Sequence, residues 1–342
     1  SKFASVLMAV LNICATLGIM AAQIMAGAAL FSALGLNPTL GAVVLAIVVF
    51  IYCSISGMWG VMMTDSIQTV VIFFSTIACI VFIAMSGGFD AMSAALPEAS
   101  FEFVPFSGEQ LVMMLIPGAL NGLISGAAFQ RTASCKDEKV AFFAPIIAAF
   151  ALIPFVVMPV IIGMYGKAAF PDAPSASILF EVVLKMNPIL AGMMVAAVLS
   201  AVMSTMDIGL LNVTANTVND IYYKTLNPSA SQKALGRLSA IVTMVSGIIA
   251  LALALTSSSI LSLLSQTYAL MNAGGLVMVV GGVLWKKGTK EGAIASAFCG
   301  MAMILLTKVG VNIPYIGFTS LIPAIIAYVA VSLATQKKTA NS

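Results

Sequence analysis

The apolar positions of this chain come in long unbroken runs rather than in alternation with polar ones. Runs bounded by Gly, Pro or charge cover residues 4–34, 39–57, 60–86, 109–131, 138–165, 188–220, 234–256, 260–285, 291–308 and 317–335. A helix crosses the hydrocarbon core of a bilayer with about 20 apolar residues, and every run is near or above that length. The pattern predicts ten membrane-spanning helices and a shorter amphipathic helix near residues 175–186. Backbone polar groups in hydrocarbon have to be bonded internally, so the expected architecture is an all-α, polytopic helical bundle with the lipid bilayer as its surroundings.

Composition agrees. Of 342 residues 61% are apolar and 8% are charged, and the mean hydropathy is +1.11. Soluble domains carry charge on roughly a quarter of their residues. Soluble enzymes are thereby excluded, and no nucleic-acid partner is expected. The chain has no histidine, which removes the HExxH metal site, the Ser-His-Asp triad and a His proton relay. Cys14, Cys53, Cys79, Cys135 and Cys299 show no CxxC spacing and read as packing residues. The chain starts Ser1-Lys2 without Met or a cleavage site, so no signal peptide is expected.

The distribution of Lys and Arg says more than their sum. Alternating loops place Lys2, Arg131, Lys136, Lys139, Lys224, Lys233, Arg237, Lys286, Lys287, Lys290, Lys337 and Lys338 on one side, twelve of the fifteen cations. Lys167, Lys185 and Lys308 fall on the other, with Asp90, Glu98, Glu102, Glu109, Asp172 and Glu181. By the positive-inside rule both ends of the chain are expected in the cytoplasm of a cell-membrane protein.

Polar residues at membrane depth are the informative ones, because a charge at the helix centre costs about 2.5–3.5 kcal/mol on insertion scales. The densest set lies on the sixth run, where Ser200, Ser204 and Asp207 fall within about 60° of one another on a helix and Ala201 sits beside them. Hydroxyl, carbonyl and carboxylate oxygens suit a hard cation such as Na⁺. Ser and Thr also routinely donate to carbonyls one turn back, which suffices for Ser200. Ser204, Thr205 and Asp207 read as an ion site, since that habit leaves Asp207 without a reason.

Asp65 has two readings. It complements the dipole of its helix start, or it belongs to an ion pathway. Ser5, Asn12, Thr16 and Gln23 form one stripe on the first helix, and Gln266, Thr267 and Asn272 mark another. Such stripes either glue helices together or line a solute path. Pro117-Gly118 and Asn121-Gly122, with Gly126 beyond, interrupt the fourth run, either as a kink or as the break that exposes carbonyls at a transporter binding site.

Three stretches resemble the sodium:solute symporter family. They are Gly57 to Gln68, then Phe129-Gln130-Arg131 followed by Lys136 and Lys139, and Ala196 to Asp220 continuing Ile221-Tyr222-Tyr223-Lys224. The family counterparts read WTD..Q, QR..A.K and SA.MST.DS.LL…DIYK, and they occur in the same order. Met63 stands at the usual Trp and Ile208 at a common Ser.

The resemblance implies a LeuT-type fold of two inverted five-helix repeats. Residues 1–86 would be helices three to five of the first repeat, 109–285 the second repeat, and 291–335 peripheral helices. It further implies that about three preceding helices are missing, including a broken helix that gives carbonyls to sodium and substrate. The expected function is sodium-coupled symport of a small polar organic solute of amino-acid, carboxylate or sugar type. By resemblance Ala201, Ser204 and Thr205 hold Na⁺, and Asp65 belongs to sodium transit or a second sodium site, to which Ser204 and Asp207 also contribute. Arg131 takes a gating role, and Asn121, Gln266 and Gln23 take substrate positions. The rivals are a proton-coupled symporter of this fold, a non-transporting sensor or structural subunit, and, last, a membrane-embedded enzyme.

Overall fold

A computed structural model describes residues 1–102, 107–108, 115, 118–173, 178–257, 259–311, 313 and 316–339 of the chain. Among the described residues every regular element is helical. In chain order the main ones are α1 (Lys2–Ala33), α2 (Pro38–Met85), α3 (Gly88–Ala95), α4 (Gly126–Ala133), α5 (Glu138–Ala169), α6 (Ile178–Lys185) and α7 (Pro188–Ala215). Then follow α8 (Gln232–Thr256), α9 (Ile260–Met271), α10 (Val277–Leu284), α11 (Lys290–Lys308), α12 (Ile316–Thr319) and α13 (Leu321–Thr339). π-helical segments Asn216–Leu226 and Asn272–Leu276 continue α7 and bridge α9 to α10.

Local chemistry accounts for the helix starts. Asn37 caps α2 through Leu40 N at 3.0 Å, with Pro38 in the first turn, where its missing N–H costs nothing. Asp137 caps α5 through Val140 N at 2.8 Å, and Asn187 caps α7 through Ile189 N and Leu190 N at 3.1 and 3.0 Å. The 48 residues of α2 hold two of the expected spans. Gly57, at φ 58° and ψ −157°, interrupts them, a conformation essentially confined to glycine. The expected amphipathic helix is present as α6.

Six helices are long and apolar enough to cross a membrane, among the described residues. Their apolar side chains point largely outward: Ile55 is 82%, Trp59 75% and Phe150 70% exposed, as lipid-facing positions require. Pro117 and Glu109, and the start of the interrupted run, lie outside the described residues. The break itself is visible, because residues 118–122 are helical, 123–125 are not, and α4 restarts at Gly126.

The chain divides into two compact units. The first comprises Ser1–Ala22, Phe106–Thr132 and Gly209–Ser342. Its core gathers Leu11, Ile124, Met271, Leu276, Leu321 and Tyr328. The second comprises Gln23–Pro105 and Ala133–Ile208, around Cys79, Ile83, Met92, Ile162, Val183 and Met194. Each unit draws on both of the repeats expected from sequence.

Candidate sodium and solute sites

The middle of α7 carries a cluster of three oxygens in the second unit. Ser204 Oγ and Thr205 Oγ1 both donate to the Ala201 carbonyl oxygen, each at 3.1 Å. This is the backward hydroxyl-to-carbonyl bond of Ser and Thr in membrane helices, and it draws three oxygen atoms together on one helix face. Ala201 is exposed, and Ser204 and Thr205 are half-buried. Ala201 also lines a cavity of about 540 Å³, otherwise walled by residues such as Ile72, Thr76, Ile162, Ala197 and Val198. A cation at these oxygens would require both hydroxyl hydrogens to rotate off the carbonyl. The rotation is a local one, since a hydroxyl hydrogen turns to suit its partner.

Asp207, one turn further along α7, is 0% exposed. Its Oδ2 accepts from Tyr52 Oη at 2.7 Å, and its Oδ1 from the Ile208 N–H at 2.6 Å. Tyr52 ends the first half of α2, and Asp65 lies on the second half, beyond Gly57. Asp65 and Asp207 both belong to the second unit. Gln68, one turn past Asp65, buries its Oε1 without a hydrogen-bond donor. Sequence reasoning missed Tyr52. Its only signal was a hydroxyl inside the apolar run Phe50-Ile51-Tyr52-Cys53.

The expected solute residues fall in both units. Asn121 is half-buried on the helical residues 118–122, and Gln266 is exposed on α9, both in the first unit. Gln23 is half-buried on α1, in the second unit. Arg131 is exposed in the last turn of α4. The α1 stripe has a definite role at two positions. Asn212 Nδ2 donates to Asn12 Oδ1 at 3.2 Å and to Thr16 Oγ1 at 2.9 Å, while Asn216 Nδ2 donates to Asn212 Oδ1 at 3.0 Å. These buried amides join α1 to α7 as interhelical glue. The start of α4 packs onto them, since a Cβ at Gly126 would collide with Asn12 and Asn212.

The family model for the sodium:solute symporters matches residues 1–300. The chain belongs to that family. Among curated relatives, the sodium/pantothenate symporter of Haemophilus influenzae is 27% identical over 323 residues, which is 90% of this chain and 66% of that protein. The sodium/proline symporter of Escherichia coli is 27% identical over 328 residues, 90% of this chain and 64% of that one. The chain thus spans somewhat less than two thirds of the length of these two relatives. The solved structure of a Na⁺-coupled sialic acid symporter, substrate-bound and outward-open, superposes with a TM-score of 0.77 at 19% identity, covering 96% of this chain and 74% of that one. The fold of this family member is therefore LeuT-type, as expected from sequence. It is a multi-pass membrane protein whose relatives are transporters and not enzymes.

Proposed function

We propose that the natural protein couples inward movement of Na⁺ to uptake of a small polar organic solute. The observation that carries this reading is the convergence of Ser204 Oγ and Thr205 Oγ1 on the Ala201 carbonyl oxygen. These three oxygens form part of a sodium site. Asp65 and Asp207 contribute to sodium transit or a second site. Family membership and the names of the relatives support sodium as the coupling ion. Proline and pantothenate, the solutes in those names, both carry a carboxylate, which favours an acid-bearing solute over a sugar.

The energetics suffice. One Na⁺ entering down 100 mV and a tenfold gradient releases about 3.7 kcal/mol, enough for several-hundred-fold accumulation of a neutral solute. Bound Na⁺ favours the state that admits solute, by no more than its differential affinity for the two states. Asn121, Gln266 and Gln23 are assigned to solute contact, and Arg131 at the end of α4 to gating. Residues 1–86 supply helices three to five of the first inverted repeat and 109–285 the second repeat, with 291–335 peripheral. The twelve-to-three division of cations supports cytoplasmic placement of both ends of this chain.

The test is Na⁺-dependent uptake by vesicles containing the natural full-length protein, screened with radiolabelled amino acids and small carboxylates. Accumulation driven by an inward Na⁺ gradient is expected. A fully buried Asp207 bonded to Tyr52 makes proton coupling the second reading. Uptake that persists without Na⁺ and collapses with the pH gradient would establish it instead.

A further inference from the structure

The Tyr52–Asp207 hydrogen bond ties residues 155 positions apart within the second unit. Asp207 is fully buried, so fixed neighbours rather than bulk water orient its carboxylate. The Ile208 N–H holds Oδ1 close to the main chain of α7 itself. The Tyr52 hydroxyl reaches Oδ2 from a different helix, so it sets how the carboxylate is rotated about the end of its side chain. An ionised carboxylate oxygen has two acceptor directions, and a bond from Tyr52 is compatible with a cation on the same group. Tyr52 therefore ties the first half of α2 to α7 at the Asp207 carboxylate.

We infer that Tyr52 is a positioning residue for the coupling ion: its hydroxyl aims the Asp207 carboxylate at a bound Na⁺. The inference rests on the reading of Asp207 as an ion ligand. In this role the phenol touches neither ion nor solute. Its contribution is to remove the rotational freedom that Asp207 would otherwise lose on binding, which is the advantage of a preorganised site.

Radioactive Na⁺ binding to the purified full-length protein tests this without knowledge of the solute. Tyr52→Phe keeps the ring and removes only the donor. It should weaken Na⁺ binding about tenfold, the scale of one hydrogen bond to a charged group, in addition to any loss of stability in Na⁺-free buffer. Adding Tyr52→Phe to Asp207→Asn should weaken binding no further, because the two residues act as one unit. A Tyr52→Phe protein that titrates as wild type, or that loses Na⁺-free stability but not Na⁺ affinity, overturns the positioning role. So does a Tyr52→Phe effect of equal size in the Asp207→Asn background. If Asp207→Asn alone leaves Na⁺ binding untouched, the reading of Asp207 as an ion ligand fails, and Tyr52 with it. An active Asp207→Asn with a silent Tyr52→Phe sinks the Tyr52 inference alone.

Discussion

Deleting the Ser204 hydroxyl is the sharpest probe of the α7 oxygen cluster. Without an ion, Ser204 Oγ donates to a carbonyl oxygen that also accepts from Thr205 Oγ1. Ser204→Ala therefore leaves that carbonyl with a donor. The side chain is only half-buried, so the Na⁺-free protein should lose less than about 1 kcal/mol, at or below a typical net hydrogen bond. With Na⁺ bound, the same change removes one oxygen from a full charge. Scaled to hydrogen bonds with charged groups, that loss is about 1.5–3 kcal/mol, or roughly 10- to 150-fold in apparent Na⁺ affinity. The assay is thermal unfolding of the full-length protein against Na⁺ concentration. A tenfold weaker site lowers the stabilisation at saturating Na⁺ by about 1.4 kcal/mol. Thr205→Ser, which retains a hydroxyl, should titrate close to wild type. If Ser204→Ala shifted the Na⁺-free melting point while its Na⁺ dependence matched wild type, the cluster would be helix glue and the sodium assignment wrong.

Three further outcomes follow from the packing. Asn212→Ala strips the amide donor from Asn12 and Thr16 together, while Asn216 keeps the main-chain carbonyl of residue 212 at 2.7 Å; at about 1–3 kcal/mol per stranded buried group, the protein should lose a few kcal/mol, read as a lower unfolding midpoint. Gly126→Ala drives a methyl into the amides of Asn12 and Asn212 and should cost about 1–3 kcal/mol by the same measurement, whereas an unchanged midpoint would show that α4 moves aside freely. Gly57→Ala places a side chain at φ 58°, which costs on the order of 1–3 kcal/mol and should appear as reduced yield of folded protein in membranes. Wild-type yield and melting would mean that the junction within α2 tolerates another geometry.

Some of the site could be found in the sequence, and the physical reason is the membrane. In hydrocarbon a carboxylate or a cluster of hydroxyls is expensive, so Asp65, Ser204, Thr205 and Asp207 stood out against their apolar neighbours. The same reasoning could not separate ion ligand from helix glue along α1, because both use a polar stripe. There the structure favours glue for Asn12 and Thr16, which meet Asn212. Tyr52 was invisible, because a tyrosine within an apolar run resembles ordinary aromatic packing until its hydroxyl is seen to reach Asp207.

Hydropathy and charge along the chain determined the all-helical membrane class, the rough limits of the long helices and the interruption of the fourth run; ten spans are expected from sequence, and among the described residues six helices are long and apolar enough to cross a membrane. Each follows from local rules: the length of a run against the bilayer, and the placement of Gly, Pro and Lys. The tertiary structure decided what separations of many residues conceal. It placed Tyr52 on Asp207 and put the kink between the two expected spans of α2 at Gly57. It also set Asn212 between α1 and the start of α4. Hydrophobic periodicity reports how each helix faces lipid, whereas the partner of a buried polar atom depends on which helix packs beside it, and that is a property of the assembled bundle.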